Sequence, residues 1–94
     1  MPMNVSYIEE EERLDLTFEG NLDVSASQAI CELCNRVSVN VRYCIVDLAG
    51  VERVFDSGIA LLQMLHRRMS ARGSTVLILS DRPEFKEYIP LISH

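Results

Sequence analysis

The stretch that most constrains this fold runs from Val51 to Arg72 and reads as a loop, a turn at Asp56-Ser57-Gly58 and a long amphipathic helix. At about 100° per residue, four apolar side chains after the turn fall on one stripe of a helical wheel. They are Ile59, Leu62, Leu65 and Met69. We therefore expect a core-facing helix that begins near Ser57 and ends at Gly73, a residue suited to the position after a helix end.

The opposite side of the same helix has an unusual composition for a solvated surface. It carries Ser57, Leu61, Met64, Arg68 and Ala71. A solvated face would hold Lys, Glu and Gln, whereas Leu and Met beside a hydroxyl are typical of a surface that something covers. The cover is either another protein or a loop of the same chain, and periodicity alone does not separate these two interpretations.

The other segments alternate between strand and helix patterns. Two strands with an acidic turn at Glu9 to Glu12 between them are followed by a helix, a buried strand, the long helix, another buried strand and a last helix. The expected strands are Asn4 to Ile8, Leu14 to Glu19, Val41 to Leu48 and Thr75 to Leu79. The order β-β-α-β-α-β-α predicts one α/β domain over residues 1–94, with a mixed sheet, an N-terminal hairpin and helices packed mainly on one face.

The remaining boundaries come from turn and capping residues. Gly20 to Val24 reads as a connection, and Ala49 to Phe55 reads as a loop. Ser25 is the expected N-cap of the first helix, with Gln28 completing a capping box. Asp81 is expected to cap the last helix.

Composition limits the classes of partner. The chain has 94 residues, of which 48% are apolar and 24% charged, and its formal net charge is −5. Nucleic acid and anionic membranes would repel such a chain, so neither is an expected partner. No run reaches the roughly 18 apolar residues of a membrane span, and the N-terminus lacks the basic and apolar regions of a signal peptide. We therefore expect a cytoplasmic protein.

No catalytic or metal-binding constellation can be assembled from the sequence. Cys31 and Cys34 form a C-x-x-C, but the pair lies mid-helix instead of at a helix start, where a redox thiol is activated. Cys44 lies on a buried strand, and three cysteines do not make a disulfide framework. A zinc site would need two further ligands, and only His66 and His94 are available. Because phosphate-binding glycine motifs are also absent, we expect a non-enzymatic domain without a cofactor.

Ser57 is the one position where we expect chemistry. As an N-cap it would only stabilise the helix. As a phosphoacceptor it would gain roughly −1.5 to −2 charges at pH 7, which a helix N-terminus tolerates because free N–H groups point at it. Asp56 and an acidic or apolar partner surface would oppose that charge. Phosphorylation would then end docking and leave the fold intact.

Three segments resemble the STAS domain, the family of bacterial anti-sigma factor antagonists. They are Gly20 to Asp23 (G-N-L-D), Ile45 to Leu48 (I-V-D-L) with Asp56 to Leu62 (D-S-G-I-A-L-L), and Arg72 to Leu79 (R-G-S-T-V-L-I-L). Family members carry D-S-S-G or D-T-x-G, so one residue of that signature is missing here. Matching Gly58 to the family's Gly makes Ser57 the phosphoacceptor and puts Phe55 at the usual Asp position. Ile59 and Leu62 then fall at the family's buried positions.

The resemblance implies a partner-switching module in transcription regulation. The unmodified domain would bind an anti-sigma factor with a serine-kinase fold, phosphorylation of Ser57 by that kinase would release it, and a phosphatase would reset it. The positions expected to contact the partner are Asp23, Asp56, Ser57, Gly58, Leu61, Met64 and Arg68. The resemblance also leaves open that two copies of the domain form a weak homodimer.

Two alternatives stay open beside this interpretation. The run V-D-L-A-G-V-E-R-V-F-D-S-G-I-A-L-L is also similar to the small STAS subunit of phospholipid-transporting ABC complexes. There the domain would bind and support the ATPase subunit. In a second register, Asp56 matches the family's Asp, Gly58 falls at the acceptor position and the switch is lost.

Overall fold

A computed structural model describes residues 3–37 and 40–82. The elements are β1 (Met3–Ile8), β2 (Arg13–Leu22), α1 (Ser27–Arg36), β3 (Tyr43–Val54), α2 (Asp56–Ala71) and β4 (Thr75–Leu79), with 3-10 turns at Glu9–Glu11 and Val24–Ala26. Within these residues the strands form one sheet in the order β1-β2-β3-β4. β1 is antiparallel to β2, whereas the β2–β3 and β3–β4 pairs are parallel. The mixed sheet and its N-terminal hairpin are confirmed.

One face of the sheet carries the core, as the alternation along a strand requires. The buried strand residues are Leu14, Leu16, Phe18 and Leu22 of β2, Cys44, Val46, Leu48 and Val51 of β3, and Val76 and Ile78 of β4. α1 covers them with Ile30 and Cys34, and α2 covers them with the predicted stripe of Ile59, Leu62, Leu65 and Met69. Both helices therefore pack on the same face, which confirms the predicted α/β architecture.

β2 and β3 extend further than the sequence predicts. The predicted connection at Gly20 to Val24 and the predicted loop at Ala49 to Phe55 are wrong, because most of these residues pair with one another as parallel strands. The added pairs include Glu19 with Gly50, Gly20 with Val51 and Leu22 with Val54. Two shifts of register interrupt this part of the ladder, and Gly20 takes a φ of 78° there, which glycine adopts without strain.

The first helix also begins differently from the prediction. Ser25 is not its N-cap, since α1 starts at Ser27 after the 3-10 turn. Asp23 caps that turn by accepting a hydrogen bond from the Ser25 N–H at 2.9 Å. The predicted capping box is absent, because the Gln28 amide donates to Glu32. A carboxylate is a stronger acceptor than a hydroxyl, so Asp23 takes the capping position.

The long helix ends as predicted. Gly73 has a φ of 90° and its N–H donates to the Ser70 carbonyl oxygen at 3.0 Å. Arg72 reaches from this end of α2 to the end of α1, where its guanidinium donates to the carbonyl oxygens of Cys34, at 3.2 Å, and Val37. A cation is favourable at that place because the last carbonyls of a helix carry partial negative charge.

The three cysteines have free thiols and lie in or beside the core, as predicted. Cys34 and Cys44 are buried, and Cys31 is half-buried. Burial raises the pKa of the Cys34 thiol and raises the pKa of Cys44 to about 12. Neither buried thiol is therefore activated for redox chemistry. Among the described residues, no three side chains of the metal-binding types come together.

The predicted last helix, with Asp81 as its cap, extends past Arg82 and so lies outside the described residues. Of the helices within residues 3–37 and 40–82, none has the length and apolar character to cross a bilayer.

Candidate partner-binding site

The carboxyl ends of β2 and β3 bring the candidate residues to one end of the sheet. Leu22 pairs with Val54 in parallel register, so the residues that follow them, Asp23 and Phe55, leave the sheet side by side. The Phe55 N–H donates to the Leu22 carbonyl oxygen at 3.0 Å and continues this ladder by one bond. α2 begins at the next residue, Asp56.

Gly58 is where α2 approaches β2 most closely. A β-carbon at this position would overlap the Leu22 carbonyl oxygen and lie 2.6 Å from the Leu22 carbonyl carbon. Such distances are not tolerated between non-bonded atoms, and the obstructing atoms belong to backbone that cannot turn aside. Any side chain at position 58, a hydroxyl included, would therefore force α2 away from the sheet.

Ser57 lies in the first turn of α2 and is half-buried. It is not the N-cap, because that position belongs to Phe55, whose extended backbone precedes the helix and whose side chain makes no cap bond. No residue in the described part of the chain hydrogen-bonds to the Ser57 hydroxyl. The first-turn N–H groups of a helix have no partner within it, so the hydroxyl lies in a region of positive potential.

Two carboxylates lie at this end of the sheet, and they differ in their surroundings. Asp56 is exposed at the start of α2. Asp23 is half-buried, and hydrogen bonds from the Ser25 hydroxyl and then from the Ser25 N–H hold the pKa of its carboxyl below the ordinary value. Asp23 therefore carries a full negative charge at neutral pH while it caps the 3-10 turn.

The flank of α2 that we expected to contact a partner is partly covered by the chain itself. Leu61 and Met64 are half-buried and pack against the core, whereas Arg68 is exposed. The Arg68 guanidinium donates to the Asn35 side chain of α1 at 3.0 Å. This flank therefore faces the groove between α1 and α2, and its role in binding stays a prediction.

Two exposed apolar residues at this end of the sheet escaped the sequence analysis. Val24 is 66% exposed and Phe55 is 43% exposed. The available signal was that Phe55 stands where the STAS signature has an Asp, and that both apolar residues adjoin an aspartate. Because the sequence analysis assigned these segments to a connection and a loop, it did not identify the two residues as exposed apolar side chains at the ends of paired strands.

Two surface concavities of the described residues lie elsewhere. One, at the opposite end of the sheet, is lined by residues that include Glu12, Arg42 and Arg72. Another, on the open face of the sheet, is lined by residues that include Asp15, Thr17 and Asp47. Neither of these two concavities contains Ser57.

Comparisons with solved structures show the same fold in proteins of low sequence identity. The anti-sigma factor antagonist SpoIIAA in its unphosphorylated form has a TM-score of 0.81 and 15% identity, over 99% of this chain and 87% of that one. A serine-to-glutamate variant of RsbS from Moorella thermoacetica has a TM-score of 0.80 and 16% identity, over 100% and 86%. Mglu has a TM-score of 0.73 and 24% identity over 85% of this chain, which spans about a fifth (20%) of Mglu.

Sequence comparison assigns the family. No significant match is found among curated proteins. The family model described as the STAS domain matches residues 4–92, nearly the whole chain. This protein therefore belongs to the STAS domain family.

Proposed function

We propose that this STAS domain is a partner-switching module that binds a serine-kinase-type anti-sigma factor and is released by phosphorylation of Ser57. The observation that carries the proposal is the close approach of Gly58 to Leu22. Because position 58 has room only for glycine, the acceptor hydroxyl of the switch belongs at position 57.

This packing favours one of the two registers of the STAS signature. In one register, Gly58 falls at the acceptor position, where family members carry Ser or Thr. In this fold, however, the β-carbon of such a residue would overlap the Leu22 carbonyl oxygen. In the other register Gly58 matches the family's glycine, and Ile59 and Leu62 match buried positions, as both residues are here. The shortened signature is then a substitution by Phe55 and Asp56 ahead of an intact Ser-Gly pair.

The surroundings of Ser57 suit a phosphate that acts on the partner and not on the fold. The uncapped first turn of α2 supplies N–H donors to the phosphate oxygens, so the domain tolerates the modification. For the partner, the phosphate adds roughly −1.5 to −2 charges beside the carboxylate of Asp56. Covering that charge with apolar surface costs desolvation energy, so the modified domain dissociates.

In this proposal the domain is a substrate and not an enzyme. The Ser57 oxygen bonds to the γ-phosphorus of ATP held in the partner, the bond from that phosphorus to the bridging oxygen breaks, and ADP leaves. The hydroxyl proton passes to a base of the kinase. A phosphatase later hydrolyses the phosphoserine and restores binding.

Phosphate mapping tests the proposal. The purified domain is incubated with ATP and the serine-kinase-type anti-sigma factor of the same organism, and intact mass and peptide mass spectrometry locate the phosphate. We expect one phosphate on Ser57, none in Ser57→Ala, and full modification of Ser70→Ala, which removes an exposed hydroxyl at the other end of α2. A phosphate on Ser25, Ser70 or Ser80 with none on Ser57 would refute the proposal. Co-purification with an ABC-transporter ATPase and no phosphorylation would favour the transporter-subunit alternative.

A further inference from the structure

The outer edge of β1 is unpaired in the described part of the chain. β1 is the first strand of the described sheet and has β2 as its one neighbour there. Successive residues of an antiparallel strand direct their backbone N–H and C=O groups alternately to the two sides, so about half of these groups point away from β2. Among residues 3–37 and 40–82, no backbone group outside the β1–β2 ladder bonds to β1. This edge can therefore accept another strand.

β1 also lacks the features by which edge strands usually resist pairing. Such strands carry charged side chains, a proline or a β-bulge. The sequence of β1, M-N-V-S-Y-I, contains no charged residue and no proline. Its register with β2 runs from Met3 to Ile8 without a shift. β1 is therefore a regular strand that nothing in its own sequence protects from association.

One apolar side chain of β1 lies beyond the cover of the helices. Met3, Val5 and Tyr7 pair with buried residues of β2, so all three are on the face of the sheet that carries the core. Met3 and Tyr7 pack against the core, whereas Val5 between them is 48% exposed. On the opposite edge strand, β4, the two side chains of this face are each only 1% exposed. A strand added to the sheet would therefore bury new apolar surface at β1 and not at β4.

We infer that β1 is the contact between two copies of this chain, which pair as antiparallel strands about a twofold axis at Val5 and join their four-stranded sheets into one. Residues directly opposite each other in such a pair point to the same face of the sheet. On the core face, Val5 then lies opposite Val5 of the second copy, and Met3 lies opposite Tyr7. On the open face, Asn4 lies opposite Ser6. Apolar residues thus meet apolar or aromatic ones, and amides meet hydroxyls.

The matching of side chains selects this register from its nearest alternatives. A shift by one residue would place core-face side chains opposite open-face ones, which antiparallel pairing excludes. An axis at Ser6 would put the polar Asn4 opposite the apolar Ile8. With the axis at Val5, roughly four to six backbone hydrogen bonds form, whichever alternate residues direct their groups outward.

The charges nearest to β1 do not oppose this contact. On the open face, Arg13 and Asp15 of β2 lie beside β1, and they pair with each other at 2.9 Å. The acidic turn Glu9–Glu12 follows β1, and antiparallel pairing puts the two turns at opposite ends of the joint. At about 3.4 Å per residue, Glu9 of one copy lies roughly 27 Å from Glu9 of the other, well beyond the Debye length of about 8 Å at physiological salt.

Two features make the complex weak. Each copy carries a net charge of −5, so the copies repel one another at low salt. A joint between two strands of six residues also lies at the small end of protein interfaces. The inference does not rest on the proposed function, because β1 pairs with residues 13–18 of β2, whereas Ser57 lies in the turn that packs on Leu22.

Sedimentation equilibrium tests the contact, at concentrations from about 10 μM to 1 mM because the complex is weak. We expect the native domain to form a dimer as concentration rises. Val5→Lys puts two like charges directly opposite each other, which is unfavourable, and should raise the dimer Kd at least tenfold. Val24→Lys, at a valine that is 66% exposed outside β1, should leave the Kd within a factor of two. Thermal unfolding of each variant verifies the fold.

Disulfide cross-linking tests the register. The variants carry Cys31→Ser, which removes the half-buried native thiol, and a mild oxidant is added. Val5→Cys should cross-link to itself. Asn4→Cys and Ser6→Cys should cross-link when mixed and not alone, because two copies of Asn4 are offset by about 7 Å along the strands, too far for a disulfide. Intact mass spectrometry under non-reducing conditions identifies each product.

Three results would overturn the inference. They are a native domain that stays monomeric over the whole concentration range, a Val5→Lys domain that dimerises as well as Val24→Lys, and Asn4→Cys that cross-links to itself as readily as Val5→Cys. None of these results concerns the phosphorylation of Ser57, so the proposed function stands or fails separately.

Discussion

At the scale of the residue, Gly58 joins the fold to the proposed switch. Its missing side chain lets the first turn of α2 lie against the Leu22 backbone, and this contact leaves Ser57 as the only hydroxyl in the turn. The signature spacing identified the glycine as important. The reason why position 58 requires glycine depends on the pairing of Leu22 with Val54. Local sequence patterns do not reveal this long-range contact.

Gly58→Ala should therefore destabilise the domain, although alanine normally stabilises a helix interior by about 1 kcal/mol relative to glycine. The overlap with the Leu22 carbonyl group should outweigh that gain and cost about 2–3 kcal/mol in the free energy of unfolding. Urea denaturation measures the loss. The control Ala60→Gly, at an exposed position of the same helix, should cost about 1 kcal/mol. A Gly58→Ala domain as stable as the native one would mean that α2 does not contact β2 at this point.

At the scale of the element, the sequence predicted the type of every described helix and principal strand, and it misplaced several boundaries. β4 and the apolar stripe of α2 follow from local periodicity, and both are confirmed. The extensions of β2 and β3 do not follow from local periodicity. Gly20 and Gly50 have low strand propensity, and pairing with the neighbouring strand holds them in the sheet. The candidate site follows the same division, since Ser57 is singled out by the local sequence, whereas the exposure of Val24 and Phe55 at the strand ends is seen only in the structure.

Arg72 provides a test of how the two helices are joined. Arg72→Ala removes the hydrogen bonds to the Cys34 and Val37 carbonyl oxygens and should lower the free energy of unfolding by about 1 kcal/mol, a value discounted for the exposure of the side chain. Arg72→Lys should recover only part of the lost free energy of unfolding, because an ammonium lacks the forked geometry of the guanidinium. Arg67→Ala, at another exposed arginine of α2, should change stability by less than about 0.5 kcal/mol. Equal effects of Arg72→Ala and Arg67→Ala would contradict the bridging role.

Met64 tests how far the chain itself covers the outer flank of α2. The side chain is half-buried and contacts the core, so Met64→Glu should cost about 1–2 kcal/mol, because part of the carboxylate can still reach water. Met69→Glu, at a position only 1% exposed, should prevent folding. Thermal unfolding of both variants, with Arg67→Glu as an exposed control, ranks the three variants by stability. A Met64→Glu domain that fails to fold would place Met64 within the core and remove it from the candidate interface.

At the scale of the whole molecule, the fold separates a continuous core from the surface that carries the proposed switch. The core is continuous across β2, β3, β4 and the two described helices, whereas Ser57, Val24 and Phe55 lie at the carboxyl ends of β2 and β3. A phosphate added at that end changes surface charge without entering the core. The excess of acidic residues, with a net charge of −5, also disfavours nucleic acid as a partner.

The cysteines report on the integrity of that core. Burial raises the pKa of Cys44 to about 12, so at pH 8 almost none of it is thiolate and alkylation requires unfolding. We expect iodoacetamide to label the half-buried Cys31 first, and to label Cys44 at a rate that follows the unfolded fraction as urea is added. Peptide mass spectrometry separates the sites. Labelling of Cys44 as fast as Cys31 in the native protein would show that the core opens locally.

The central claim is that a charge at Ser57 decides whether the domain binds its partner. Calorimetry with the serine-kinase-type anti-sigma factor compares the unmodified domain, the domain phosphorylated on Ser57, and Ser57→Asp. The account predicts unchanged thermal stability in all three, a Kd raised roughly thirtyfold or more by phosphate, equivalent to about 2 kcal/mol, and a smaller rise for Ser57→Asp, which carries about half the charge. Equal affinities for all three proteins would contradict it.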